Sequence, residues 1–488
     1  MKRAVAALLL GCVTLAGTQD HALAPRDAHA ELSKLADVLR ASGGAYEYDR
    51  QLADGIGPRL TGSSNYRRAA DWAVAQFQAL GLTNIHREPW PLPDSWEPDG
   101  AATARMTAPR EQTLHMVSEG WSPSTPPGGV RGKVVYLADL RPAAVRAQAR
   151  ELAGAIVLVD EASIGAASTM GEGTLFDGIR LIGREGARGV IFGVGNSNGA
   201  SDMFGDTGFT GTVADLPAGN LGREDTLLVK RLLQRGPVEV AFRFQNRIRR
   251  GVAVDNIVAD LPGRDSRGGY VIVGAHLDSW QAGTGAQDDG TGVASLLALA
   301  QALRATGLRP RRTIRFALFG GEEEGLLGSI AYSRRHEADL SRCAAVVMTD
   351  TGGGAPDGWF TLARADEQEA LMPLAPELNA LGAGKTTDGG RFVFSSDSAP
   401  FLVAGVPGFL LSAPIGPYLR IHHQPGDTFD KVNKHDLGVS AAVFGVTAYG
   451  LADMPTRLPR FTPAEVRDEL HALGLLGRYQ DMRSHGIF

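Results

Sequence analysis

The chain is 488 residues long, 43% hydrophobic and 21% charged, with a formal net charge of −5; this ordinary globular balance gives no electrostatic reason to expect a nucleic-acid partner. That length exceeds one core of usual size, so two or more compact units are expected. The two cysteines are Cys12 and Cys343, and Cys12 sits in a leader-like segment, so no intrachain disulfide is expected once the leader is removed.

In chain order, MKRAVAALLLGCVTLAG sets two basic residues before an apolar run too short to span a bilayer, the pattern of a secretory leader. Two processing sites compete. LLGC, ending at Cys12, resembles a lipoprotein signal, and AHA at 28–30 fits an A-x-A cleavage site, preferred because cutting at Cys12 leaves an unusually short apolar segment. Either way the expectation is export, to a periplasm or the extracellular space, and no later stretch predicts a membrane span. Residues 31–60 read as amphipathic helix, 66–82 as a second helix ending at Gly81, and 83–93 as extended chain. From about residue 129 the texture turns to short β-rich runs, GKVVYLAD, GAIVLVD, RGVIFGVG and VEVAFRFQNRI, with a helical TLFDGIRLIGREGA before the third. A small, mostly β inserted unit is expected there, and its His, Asp and Glu residues do not cluster.

A second regime begins near Val254. YVIVGAH, RTIRFALFG and CAAVVMTD read as buried strands, and helical patterns follow the first two: TGVASLLALAQALRATG and LLGSIAYSRRHEADL. The alternation predicts an α/β fold, a mostly parallel sheet sandwiched by helices. Ligands of such sheets bind beyond the carboxyl ends of the strands. His276 and Asp278 follow the first strand, GGEEEG the second, and Asp350 closes the third.

AHLDSWQAGTGAQDDGTG, at 275–292, could be an Asp- and Gly-rich turn or an oxygen-only calcium loop, and GGEEEG alone could be an acidic helix N-terminus. Convergence of the strand ends changes the weighing. His276, Asp288, Glu323 and Asp350 would crowd together, and one or two dications would relieve their repulsion. Zinc accepts this mixture of imidazole and carboxylate. RIHHQPGDTFD offers a further nitrogen ligand in His422 or His423.

HLDSW, GAQDDGTG, EEEGLLGS, MTD and HHQPGDT, in this order and spacing, resemble the co-catalytic zinc exopeptidases typified by secreted bacterial leucyl aminopeptidases, and most of all their carboxypeptidase Q branch. GIGPRLTGSSN resembles the family's N-terminal segment, and the insert its protease-associated domain. The resemblance implies a leader at 1–30, peptidase-domain segments at 31–117 and 251–456, the insert at 118–250 and a tail at 457–488. It implies two Zn²⁺ ions, one held by His276 and Asp350, the other by Glu323 and His423, with Asp288 bridging. By family spacing the ligand is His423, which leaves His422 to packing or support. Asp278, two residues past His276, is expected to orient that imidazole. Glu322, beside a ligand carboxylate, is the expected general base for hydrolysis by metal-activated water. Glu324 is expected at the solvated surface, the Asp288–Asp289 peptide to be cis, and Asp397 to match a recurrent aspartate without a stated role. Implied substrates are short peptides or dipeptides, with a homodimer expected. Polarity stays open: a carboxypeptidase or dipeptidase needs a cation for the terminal carboxylate, for which Arg391 and Arg420 are the candidates. The alternatives are a one-zinc cyclase acting on N-terminal glutamine and an inactive receptor-like or scaffold ectodomain, which would have lost ligands that are all present here.

Overall fold

Tyr270–His276 is an apolar run closed by a histidine, and every residue of it is buried in a strand at the centre of an eight-stranded sheet. The computed structural model describes residues 27–168, 172–194, 210–361, 364–387, 389–390 and 393–488. Most of the expected leader, residues 1–26, lies outside them. Tyr270–His276 pairs in parallel with Thr313–Phe319 and Cys343–Met348, and Gly408–Ser412 lies parallel beyond the latter. The flanks bring antiparallel pairing. Asn246–Leu261 and Thr83–Pro98 extend one side, and Gly358–Phe360, with Lys385–Thr387 outside it, extends the other. The sheet is therefore mixed and parallel at its centre, where helical crossovers cover both faces.

Two of the covering helices, Thr291–Thr306 and Lys434–Asp453, are buried around most of their circumference, as expected of helices apolar on all sides. The N-terminal helices pack into the same core. They are two, Ala28–Ser42 and Gly44–Ala53, where one was expected, because Gly43 at φ 62° ends the first in a left-handed cap. Ala28–Ala30, the expected cleavage triplet, form the first turn of Ala28–Ser42, with the Asp27 side chain accepting from the Ala30 amide.

Thr83–Pro98 and Asn246–Leu261 form a long antiparallel ribbon in which Pro98 pairs with Asn246. The second sheet grows from the tip of that ribbon. Its order is Gln112–Leu114, Thr103–Ala108, Glu239–Arg243, Val130–Tyr136, Ile156–Asp160, Gly189–Gly193, Ala218–Leu221 and Met116–Ser118. It thus draws on strands from Thr103 onward, ahead of the expected edge at 118, because those strands pair with Glu239–Arg243. Ile156 and Leu158 pack into one apolar cluster, Val157 and Val159 into another. Both faces are covered, helices such as Glu172–Arg184 and Arg223–Leu233 belong to the unit, and it is more helical than a mostly β reading anticipates.

The C-terminal segment holds two helices, Pro463–Ala472 and Leu476–Ser484, where one was expected. Thr462 and Glu465 form a capping box at the start of the first. No helix among the described residues is long and apolar enough to cross a membrane.

Candidate metal centre and active-site cavity

Four parallel neighbours finish along one edge, in a register that pairs His276 with Phe319, Gly274 with Met348 and Met348 with Leu410. Adjacent strands lie only about 4.8 Å apart, so the loops leaving these ends share a small space. His276 Nε2 stands 3.1 Å from Asp288 Oδ1 and 3.5 Å from Asp350 Oδ1. Across Asp288, the Oδ2 atom faces His422 Nε2 at 3.4 Å and His423 Nε2 at 3.5 Å. His423 alone of that pair also meets Glu323 Oε2, at 2.9 Å. Two potential cation-binding groups result, His276 with Asp288 and Asp350, and Asp288 with His422 and His423; within each group the candidate ligand atoms lie within 4.8 Å of one another. His422 is thus nearer the centre than a packing role requires. Its ring stacks on His423 at 3.6 Å, and burial and the neighbouring His423 push its pKa down to about 3.

Each of these groups is held from behind. Asp278 is fully buried and its carbonyl oxygen lies 3.2 Å from His276 Nδ1, which leaves Nε2 to face Asp288 and Asp350. The Asp278 carboxylate accepts the Thr61 hydroxyl at 2.8 Å and the amide N–H groups of Glu322 and Glu323 at 3.4 and 3.3 Å. One residue, by its backbone carbonyl and its carboxylate, therefore ties the imidazole to the glutamate loop. The Asp288–Asp289 peptide is cis. Asp289 turns away from the cavity and accepts the His276 and Gly292 amides.

Three supports had no role in the sequence reading. Asp427 accepts the amides of Gln287 and Asp288 at 2.7 and 3.2 Å, which fixes the backbone that aims the Asp288 carboxylate. Arg59, fully buried, donates to the carbonyls of Leu277, Thr284 and Gly285, stapling both ends of the loop between the first strand and Asp288. Thr61 is the third. GPRLTG and the Asp of GDT were visible as motifs, but nothing local shows that residues 139 to 226 positions apart will meet. Glu324 departs from expectation: it is fully buried. The turn that presents Glu322 and Glu323 to the cavity sends the next side chain inward, where its charge acts on Tyr66.

Burial, and then the charge of Asp350, raises the Glu322 pKa well above the ordinary carboxylate value. Burial, and then Asp288, pushes Glu323 up to about 7, and burial raises Asp350. Two buried oxygens, Asp288 Oδ2 and Glu323 Oε1, accept no hydrogen bond. Crowded anions with unsatisfied oxygens are costly to bury unless a cation joins them. The donor set is imidazole nitrogen with carboxylate oxygen, which fits zinc. Asp288, Glu322, Glu323, Asp350 and His423 line one cavity of about 340 Å³.

Of the two candidate cations for a substrate carboxylate, Arg420 alone falls among the described residues. Arg391 lies outside the described residues. Arg420 lines a neighbouring cavity, with Thr351 and Tyr418 forming the shared wall. The cavity does contain Arg478, from the C-terminal helix Leu476–Ser484, together with Met482 and Ile487. Asp397 is buried, close enough for its charge to act on Glu322.

Residues 256–447 match the model of peptidase family M28. Human carboxypeptidase Q is 31% identical over 436 residues, covering 87% of this chain and 89% of that relative. Among solved structures, a peptidase M28 precursor from Shewanella amazonensis superposes with a TM-score of 0.77 at 28% identity, over 89% of this chain and 99% of that one. A zinc aminopeptidase from Bacillus subtilis shares the fold at a TM-score of 0.63 and 21% identity, over 83% and 94% of the two chains.

Proposed function

The chain belongs to peptidase family M28 and is a metallo-exopeptidase, and from that premise we propose that it is an exported enzyme that removes residues from the ends of short peptides or cleaves dipeptides, using two zinc ions. The observation that carries the proposal is the single cavity where four parallel strand ends bring together Asp288, Glu322, Glu323, Asp350 and His423. His276 and Asp350 would hold one ion and Glu323 and His423 the other, with Asp288 contributing to both. The orphaned oxygens of Asp288 and Glu323 support the choice of bridge and ligand. Bound dications supply Lewis acidity, polarising the scissile carbonyl and lowering the pKa of the attacking water.

The remaining work falls to the chain's own groups. Glu322 faces the cavity beside Glu323 and is the general base: it takes the proton of the attacking water and passes it to the leaving nitrogen. Asp278 keeps the His276 ring and the Glu322–Glu323 loop in fixed relation, and Asp427 and Arg59 keep the Asp288 loop closed. The volume of the cavity, near the small end of the usual range of about 300–1,000 Å³, favours short substrates. Export is supported by the basic-then-apolar N-terminal sequence. The proposal includes a homodimer, which light scattering of the purified chain tests.

The functional test is digestion of a mixed peptide library by the purified protein, before and after chelation, read by mass spectrometry. The expected outcome is loss of terminal residues or dipeptide cleavage that stops on chelation and returns with zinc. Cleavage only within long chains, or turnover indifferent to chelator, overturns the proposal.

A further inference from the structure

His423, a proposed ligand, is held in a conformation that its own backbone does not favour. Its φ is 60°, in the left-handed region that residues with a Cβ seldom occupy. Such a conformation persists where the surroundings over-determine it, and two rings contact the His423 imidazole. His422 stacks on it at 3.6 Å, and the Trp280 indole meets it edge-on, with ring centroids 6.0 Å apart and an interplanar angle of 64°. His422 in turn meets Tyr418 at 5.0 Å.

Trp280, in the loop after the strand Tyr270–His276, is buried and stands outside the cavity lining. Its support comes from the second sheet and the ribbon. Trp121, in the loop after Met116–Ser118, meets Trp280 edge-on at 6.3 Å and stacks on Trp96 of the ribbon at 6.2 Å. Both of these indoles are pinned by their N–H groups: Trp121 donates to the Asp94 carbonyl at 2.7 Å and Trp96 to the Ser122 carbonyl at 2.8 Å. The Trp280 N–H has no acceptor among the described residues. A buried donor left unmet is a cost that packing must offset, so what this position uses is the ring. The loops that carry the two residues are also fastened to each other. Thr284 donates its amide to the Asp427 carbonyl at 2.7 Å, and a Cβ on Gly283 would lie 2.5 Å from that same oxygen, so the chain after Trp280 and the chain after His423 run in a contact close enough to require glycine.

We propose that Trp280 is a positioning residue whose indole holds the His423 ring so that Nε2 faces Glu323 Oε2 at 2.9 Å and Asp288 Oδ2 at 3.5 Å. This inference rests on the reading of His423 as a metal ligand. It also separates the two adjacent histidines: Trp280 braces His423 from the core, whereas His422 packs on His423 and Tyr418. The braced imidazole is the one placed to hold the ion.

The test is zinc titration of the metal-free, full-length protein by calorimetry, with thermal melts of the same samples to check folding. The wild type is expected to take up two ions. Trp280→Ala is expected to weaken one of them by about 10–100-fold, the usual effect of removing a group behind a ligand, and to leave the other unchanged. Trp280→Phe, which keeps a ring and removes the unmet N–H, is expected to restore most of that loss. In a His423→Ala background, Trp280→Ala is expected to cost nothing further in zinc uptake, because the two residues act as one unit. Where the melts show Trp280→Ala to be unfolded, Trp280→Leu, which fills much of the volume without a ring, is judged by the same titration. Two ions bound by the wild type with both affinities unmoved in the variant, both weakened equally, no rescue by Trp280→Phe, or a further loss in the His423→Ala background overturns the inference alone. A wild type that takes up fewer than two ions overturns the two-zinc reading of the site, and the inference with it.

Discussion

The two sheets share a plan and differ in what meets the acids at their strand ends. Each has four parallel strands at its centre. In the inserted sheet, Asp160 closes the strand Ile156–Asp160 and is met by the Lys230 ammonium, the Tyr136 hydroxyl at 3.1 Å and the Ser163 hydroxyl at 2.9 Å. Burial opposes its charge, yet Lys230 and Ser163 hold its pKa below the ordinary value. In the catalytic sheet, Asp288, Glu323 and Asp350 are faced by histidines and by one another, and burial raises Glu323 and Asp350. An acid neutralised by a lysine is a structural device. Acids left facing imidazoles form a candidate cation site, and that contrast sets the two sheets apart.

Breaking the contrast at its centre has the largest expected effect. Asp288→Ala removes the shared carboxylate, so zinc content measured on the purified protein should fall and peptide hydrolysis should drop to background. Glu322→Gln separates binding from chemistry: zinc content should be retained while kcat falls by about 10²–10⁴-fold, the usual worth of a general base. A Glu322→Gln protein with its metal and full turnover removes Glu322 from that role. Asp278→Asn weakens the support behind His276, and zinc affinity or activity should fall by about 10–100-fold, measured by zinc titration alongside steady-state rates.

The smallest effect belongs to the inserted sheet. Lys230→Met leaves Asp160 without its ammonium partner, and the mostly buried pair predicts a loss of about 1–2 kcal/mol, seen in denaturant melts without loss of zinc. Asp160 has a lowered pKa in the folded protein, so its contribution is fully present above the ordinary value of 3.8 and disappears as pH falls through the lowered one. The gap between wild type and Lys230→Met should therefore close in acid. A gap that persists there assigns the loss to the Lys230 ammonium lying over the Tyr136 ring.

The central strands were legible because a strand buried on both faces must be apolar along its length, as Tyr270–His276 and Cys343–Met348 are. The proposed ligands were legible because polar residues interrupt those runs where they end. Support residues such as Asp427 and Arg59 were not, since they act on backbone groups, and any sequence offers a carbonyl or an amide at every position. Glu324 was misjudged for a related reason: three consecutive glutamates look alike until the turn decides which way each side chain points.

By itself the sequence determined that an α/β sheet forms, that His, Asp and Glu cluster after its strands, and that a separate unit interrupts the chain, because periodicity and composition are local properties. Only the tertiary structure decided that the insert grows from the tip of the ribbon pairing Pro98 with Asn246, and that the C-terminal helix brings Arg478 to the cavity. Such contacts join segments far apart along the chain, and they form because packing of the whole molecule brings those segments together.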